Sequence, residues 1–169
     1  LHANWNAAPL DGPMAGRSIA WLLLHYDEYR QLFFNDQLFQ NKLLHANWNA
    51  APPDGISIAW LLCVNPKCHE LLTNNPRFQD KLVATNWDVT PQVGEETGKS
   101  IAWLLWLSPE GRELLANNPH FQDKLLAANW NAAPQAGEMA GKSLAWLLCV
   151  TPEGRDFLAN NPRFQDKLL

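Results

Sequence analysis

Two thiols and an imidazole lie close together in the sequence, at Cys63, Cys68 and His69. Thiolate sulfur and imidazole nitrogen are donors that Zn²⁺ prefers in structural sites, so these residues could ligate zinc. The surrounding sequence recurs later in the chain, however, with Gly in place of Cys68 and Arg in place of His69. We therefore expect no metal here, and we expect Cys68 and His69 to face solvent.

A glycine-rich segment at residues 94–100, Gly-Glu-Glu-Thr-Gly-Lys-Ser, is similar to a phosphate-binding loop and recurs at residues 137–143. The phosphate-binding motif needs four residues between its glycines and a strand before them. Here three residues separate Gly94 from Gly98, and the preceding Pro-Gln-Val is not a buried strand. We expect Ser100 to cap a helix instead, and we expect no nucleotide or other cofactor.

The histidines suggest no catalytic centre, because none is accompanied by an obvious nucleophile and acid. Catalytic sites are usually asymmetric and unique, whereas the polar clusters of this chain recur. We therefore predict that the protein is not an enzyme and has no catalytic residues.

These motifs recur because a longer block of sequence occurs four times. Each block holds Asn-Trp, a nearby Pro, Ser-[Ile/Leu]-Ala-Trp-Leu-Leu and Phe-Gln-x-Lys-Leu, and the Asn-Trp pairs are 43, 39 and 43 residues apart. Such a period predicts a stacked array, in which each unit buries its apolar face against its neighbours. We predict one domain, 1–169, whose first to fourth blocks are residues 1–43, 44–82, 83–125 and 126–168. The predicted core aromatic residues are Trp5, Trp21, Phe39, Trp48, Trp60, Phe78, Trp87, Trp103, Phe121, Trp130, Trp146 and Phe164.

Each block is expected to form three short helices. In the third block, Ser100 can cap a buried apolar helix, Ser108-Pro-Glu suits the start of a second helix, and Asn118-Pro suits the start of a third. Asn117 and Asn129 are expected to end the second and third helices in left-handed C′ positions. The predicted fold is therefore all-α, a right-handed α-solenoid of four units of about 43 residues with about three short helices each.

Four polar positions are unchanged in every block: the Asn before the first Trp, the Asn ending the second helix, the Gln after Phe and the Lys two residues later. We expect these side chains to cap helix ends or to bind the backbone of a neighbouring block, since every block would then need them. The alternative is a row of identical side chains that faces a repetitive ligand.

Composition narrows the classes of partner. The net charge of −4 and a pI near 5.7 argue against nucleic acid and anionic membranes, which favour a basic surface. The longest apolar run, residues 101–107, is far shorter than the roughly 20 residues of a membrane span. Cys63 and Cys149 share a block position that holds Leu24 and Trp106 elsewhere, so we expect two free buried thiols in a reducing, cytoplasmic compartment.

The positions at which the blocks differ are the most suitable for specific recognition. They comprise the connectors before each Ser-[Ile/Leu]-Ala-Trp motif and one position that holds Tyr29, Cys68, Gly111 and Gly154 in turn. We expect a protein or peptide partner to contact residues in these regions. The candidate partner-binding residues are Tyr26, Tyr29, Arg30, His69, Arg112, Arg155, Glu95, Glu96 and Glu138.

The block is similar in size to armadillo repeats. Its string Gly-Lys-Ser-Ile-Ala-Trp-Leu-Leu, ending later in Ala-Asn-Trp-Asn-Ala, resembles the Gly-x-Thr-Pro-Leu-His-x-Ala and Ala-Asp-Val-Asn-Ala of ankyrin repeats. It lacks Thr-Pro-Leu-His, and ankyrin units have about 33 residues. Together with Ser/Thr-Pro-Glu-Gly-Arg, the string also resembles repeat segments of effector proteins of intracellular bacteria. That resemblance implies a module that docks a host protein in the host cytosol.

We therefore predict a non-catalytic protein–protein interaction module. A structural array that associates end to end is the alternative, because neither terminus carries an evident polar capping unit and both ends should expose apolar surface. The chain begins in mid-pattern without an initiator Met, so we expect a piece of a longer array or a processed product.

Overall fold

The computed structural model describes residues 3–168, which form twelve α-helices and no strands. The predicted all-α class is confirmed. None of these helices is both long and apolar enough to cross a membrane. The helices are α1 (Ile19–His25), α2 (Asp27–Asn35), α3 (Gln37–His45), α4 (Ile58–Val64), α5 (Pro66–Asn74), α6 (Pro76–Val83), α7 (Ile101–Leu107), α8 (Pro109–Asn117), α9 (Pro119–Ala127), α10 (Leu144–Val150), α11 (Pro152–Asn160) and α12 (Pro162–Gln165).

The apolar helices α1, α4, α7 and α10 each begin directly after a serine. In α7, the Ser100 hydroxyl oxygen accepts a hydrogen bond from the Trp103 backbone N–H at 3.3 Å, as predicted. The Ile101 N–H is satisfied by the carbonyl of Trp87, 3.1 Å away in the preceding Asn-Trp turn. Helices of seven residues are unstable alone, so packing has to stabilise them.

Within each block, a single residue joins the first helix to the second and another joins the second helix to the third. Asn118 both ends α8 and caps α9, with φ −114° and ψ 111°, and its carboxamide oxygen accepts from the His120 N–H at 2.9 Å. The left-handed roles predicted for Asn117 and Asn129 are wrong. Asn117 is the last residue of α8, and only glycines have positive φ in residues 3–168. An extended joint lets the next cap follow at once, leaving no residue for a left-handed turn.

The apolar helices pack in chain order. Helix α1 packs against α4, α4 against α7, and α7 against α10, while α6 packs against α3 and α9. The first six residues of α4, which begins at Ile58, are all buried. The first six residues of α7, which begins at Ile101, are buried as well, because a neighbouring helix covers each side of both helices. Full burial of an aliphatic side chain of this size stabilises the fold by about 1.5–3 kcal/mol.

The ends of this series are less enclosed than its middle. Trp48, Trp103 and Phe121 are buried, whereas Trp5 and Phe39 are half-buried. Trp146 was predicted as core, but it is 44% exposed because no helix of the described chain covers the far side of α10. The predicted burial of Cys149 is wrong for the same reason.

Candidate functional site

The thiol–imidazole cluster lies inside the junction of α4 and α5. His69 is 1% exposed, and Cys63 and Cys68 are also buried, so the prediction that Cys68 and His69 face solvent is wrong. The His69 Nε2 lies 2.8 Å from the carbonyl oxygen of Cys63, at the carboxyl end of α4. The imidazole therefore binds a backbone carbonyl at the carboxyl end of α4.

The arginines at the same block position do the same. Arg30 Nε donates to the Leu24 carbonyl at 2.7 Å, and Arg112 Nη1 donates to the Trp106 carbonyl at 3.0 Å. Arg155 Nη1 donates to the carbonyl of the last residue of α10 at 2.7 Å. A cation at a helix carboxyl end satisfies free carbonyls and complements the helix dipole. These candidate partner-binding residues thus have an intramolecular role that their charge alone did not indicate.

Burial keeps the thiols of this junction protonated. It raises the pKa of Cys63 far above its ordinary value and the pKa of Cys68 to about 12, with nearby Arg30 partly opposing the rise at Cys68. A protonated thiol is a poor ligand and a poor nucleophile. Within residues 3–168, no three His, Cys, Asp or Glu side chains are grouped so that they could hold a metal ion.

The block position of Cys68 is also buried in later blocks, which corrects its prediction as a recognition position. Gly111 and Gly154 are buried where α8 and α11 cross the preceding apolar helices. A Cβ on Gly111 would overlap the carbonyl oxygen of Leu105. Only Tyr29, at this position in the first block, presents an exposed side chain.

The glycine-rich connector joins neighbouring blocks. The Ser100 hydroxyl caps α7, and Lys99 Nζ pairs with Glu96 at 2.9 Å. Gly98 has φ 85°, and a Cβ there would overlap the carbonyl oxygen of Ala133 in the next connector. The recurring Gly-Lys-Ser is thus explained by a close connector contact and a helix start.

The unchanged Gln position caps helix ends in every block, as expected, and the Lys position binds backbone of the preceding block in the third and fourth blocks. Gln79 Nε2 donates to the Leu72 carbonyl at 2.9 Å, and Gln122 Nε2 donates to the Ala116 carbonyl at 2.8 Å. Lys124 Nζ donates at 2.7 Å to a carbonyl just beyond α6, the Thr85 carbonyl. These bonds attach third helices to second helices and to each other.

A row of Asn and Asp side chains, which we call the amide ladder, links successive Asn-Trp turns and was not predicted. The Asn6 side-chain oxygen accepts from the Asn47 N–H at 2.7 Å, and the Asn49 side-chain oxygen accepts from the Asn86 N–H at 3.0 Å. Asp88 continues it by accepting from the next turn at 2.7 Å. The sequence signal was a position restricted to Asn and Asp, both of which carry a side-chain oxygen acceptor.

Trp21 of α1, Trp60 of α4 and Trp103 of α7 form a second set of links. The Trp21 Nε1–H donates to the Ile56 carbonyl at 2.6 Å, and the Trp103 Nε1–H donates to the Lys142 carbonyl at 2.9 Å. Each indole therefore packs in the core while its polar edge bonds to the following connector.

An open groove lies between the second helices α8 and α11. Its volume is about 400 Å³ and its lining includes Trp106, Phe157, Glu113 and Asp156. The Trp106 and Phe157 rings meet edge to face at 5.2 Å. Glu113 and Asp156 are exposed, whereas Trp106 and Phe157 are only 3% and 8% exposed, so the groove has a negatively charged rim above a largely buried aromatic floor.

The remaining candidate partner-binding residues lie elsewhere. Tyr26 and Tyr29 are exposed at the junction of α1 and α2, with their rings perpendicular and 6.4 Å apart. Glu95 and Glu138 are exposed on connectors, whereas Glu96 is half-buried.

Comparison with known proteins gives no family assignment. No protein-family model matches the chain, and no curated protein matches its sequence.

Proposed function

We propose that the chain is a right-handed α-solenoid of four units that binds a basic protein segment along its second helices. The amide ladder and the tryptophan links support the solenoid, since they connect equivalent positions of successive blocks. The groove between α8 and α11 is the observation that carries the binding function.

The groove has the composition of a protein-binding surface. Aromatic residues are enriched among the residues that dominate binding energy, and a polar rim around them is usual. Trp106 and Phe157 form the largely buried aromatic floor of the groove, while Glu113 and Asp156 supply exposed negative charge at its rim. An amphipathic segment with Lys or Arg on one side and apolar residues on the other fits this combination.

The negative charge is repeated along this face. Glu70, Glu113 and Asp156 occupy one block position and are exposed. None of the three joins an ion pair among the described residues. Arg112 and Arg155, their neighbours in sequence, donate to helix carbonyls instead. Such a row would attract a basic partner and orient it.

The oxidation state of the cysteines is relevant to the cellular compartment of the protein. Cys63, Cys68 and Cys149 are all free, which supports a reducing environment such as a cytoplasm. A basic segment of a host-cell protein is the partner that the effector resemblance implies.

Peptide binding tests the proposal. The probe is a fluorescein-labelled amphipathic helix of about 18 residues with Lys on its polar face, compared with a Glu version of equal apolar content. We expect the Lys peptide to bind and the Glu peptide not to. In the double variant Glu113→Lys/Asp156→Lys, binding should weaken by at least about tenfold, and more at low salt.

The matched control changes the net charge equally on the connectors, as Glu95→Lys/Glu138→Lys. Binding by this variant should fall much less. Equal losses in both variants would mean that binding depends only on the overall charge of the chain. A larger loss in the connector variant would overturn the groove assignment. Failure of the Lys peptide to bind the unaltered chain would also overturn it.

A further inference from the structure

The outermost apolar helices each leave one side uncovered. On α10 this side consists of Trp146, Cys149 and Val150, which we call the tail face. Trp146 and Val150 are 44% and 42% exposed. The opposite side of the helix, which includes Leu147 and Leu148, is buried.

The uncovered side of α1 is the complementary one. It consists of Ile19, Leu22 and Leu23, which we call the head face and which are half-buried. Trp21 and Leu24, on the side toward α4, are buried. The chain therefore exposes a Trp-containing side at one end and an aliphatic side at the other.

These two sides are the halves of an interface that the chain already forms three times. Helix α4 packs between α1 and α7, and both of its sides are buried. In α4, Trp60, Cys63 and Val64 occupy the block positions of the tail face. Ile58 and Leu61 occupy block positions of the head face. A head face thus has the residue types that a tail face meets within the chain.

The polar links also have unused members at the ends. Trp146 stands in the position of the donor Trp103, and Arg17 stands in the position of the acceptor Lys142. In the amide ladder, Asn131 occupies the acceptor position of Asn49, and Asn4 occupies the donor position of Asn86. Each pair would join if one molecule continued another.

The connectors repeat this pattern. Gly55 has φ 82°, and a Cβ there would lie 2.8 Å from the Thr90 carbonyl oxygen in the next connector. Gly141, at the same block position, has φ 74° with no atom within 4 Å of such a Cβ. The equivalent of Thr90 in the first block is Ala8. Gly141 therefore leaves space for a further connector, which a second molecule could supply.

We propose that the tail face of one molecule stacks on the head face of a second, so that molecules associate head to tail. Trp146 Nε1 would donate to the Arg17 carbonyl of the second molecule, and the Asn131 side-chain oxygen would accept from its Asn4 N–H. The two surfaces differ, so the contact is heterologous and each dimer keeps one free face of each kind. Chains then lengthen with concentration.

Sedimentation of complementary variants tests the order of stacking. Trp146→Asp blocks the tail face, and Leu23→Asp blocks the head face. The unaltered chain should rise above its monomer mass of 19.1 kDa as concentration increases. Each variant alone should remain a monomer, and an equimolar mixture should form a one-to-one dimer and nothing larger. Leu10→Asp, on a connector residue that is 99% exposed, is the control and should associate like the unaltered chain.

Thiol modification provides a second measurement that needs no variant. Cys149 lies on the tail face, whereas Cys63 and Cys68 are buried. Its rate of reaction with N-ethylmaleimide, followed by mass spectrometry, should fall as protein concentration rises from about 5 µM to about 500 µM. A constant rate would overturn the proposal, as would association of Trp146→Asp equal to that of the unaltered chain. Glu113→Lys/Asp156→Lys should stack normally, which separates this proposal from the binding groove.

Discussion

The indole Nε1–H of Trp60 donates a hydrogen bond to the backbone carbonyl of Lys99, which is 2.7 Å away and 39 residues later in the chain. Trp60 lies in α4, and Lys99 directly precedes the serine that caps α7. One side chain therefore fills the space between two apolar helices and fixes where the second helix begins.

Replacing Trp60 by Phe tests the polar half of this role. The ring stays largely apolar, but the Lys99 carbonyl loses its donor, so we expect a loss of about 1–2 kcal/mol in the free energy of unfolding. Urea unfolding followed by circular dichroism measures it. Trp106→Phe is the control, since Trp106 is 3% exposed, like Trp60, and its Nε1 donates no hydrogen bond within residues 3–168, so it should cost less. Equal losses would assign the effect to ring size.

The contact between connectors predicts unequal costs for the same substitution at equivalent glycines. Gly98→Ala brings a Cβ onto the Ala133 carbonyl oxygen, whereas Gly141→Ala meets nothing within 4 Å. Both sites have positive φ, so both variants lose about 1–2 kcal/mol from backbone strain. We expect Gly98→Ala to lose at least about 1 kcal/mol more, measured as unfolding free energy at low concentration. A difference near zero would mean that the connectors separate without cost.

The amide ladder predicts that an oxygen acceptor matters more than charge. Asn49→Ala leaves the Asn86 N–H without its acceptor and should cost about 1 kcal/mol. Asp88→Asn keeps an acceptor and should be nearly neutral. Asn131→Ala removes a side chain whose oxygen accepts no hydrogen bond within residues 3–168, so it is the control. Thermal unfolding of the three variants provides the comparison, and a large loss from Asp88→Asn would contradict it.

Much of the fold followed from local chemistry. Ser100, Ser108 and Asn118 lie where a side-chain oxygen can cap a helix, and Pro fixes the first turn after two of them, so the helix starts were predictable. The helix ends were not, because the single extended joints leave no distinctive residue. Asn117 looked like a terminator but is the last helical residue.

The site was harder to predict, since charge does not reveal where a side chain points. Arg112 looked like a surface residue, yet its guanidinium bonds to α7. His69 looked like a chance substitution, yet it bonds to the equivalent carbonyl of α4. The groove depends on the separation of α8 and α11, which no local pattern encodes. Trp146 and Trp103 share a motif and differ in burial because only Trp103 has a helix on both sides.

The environment of His25 predicts a pH dependence of stability. Burial first, and then the positive charges of Arg17 and Arg30, lower the pKa of His25 in the folded state below its ordinary value of 6.5. The unfolded chain therefore binds this proton more readily than the folded chain does. The contribution of His25 to stability is full above pH 6.5 and is lost as the pH falls through the lowered folded pKa. We expect the melting temperature to fall between about pH 7.5 and about pH 5, where other groups contribute less.

His25→Val, which installs the residue found at this position in α4 and α10, should reduce that fall. Gln135→Ala, an exposed change outside α1, should leave it unaltered, and an equal fall in His25→Val and the unaltered chain would show that His25 is not its source.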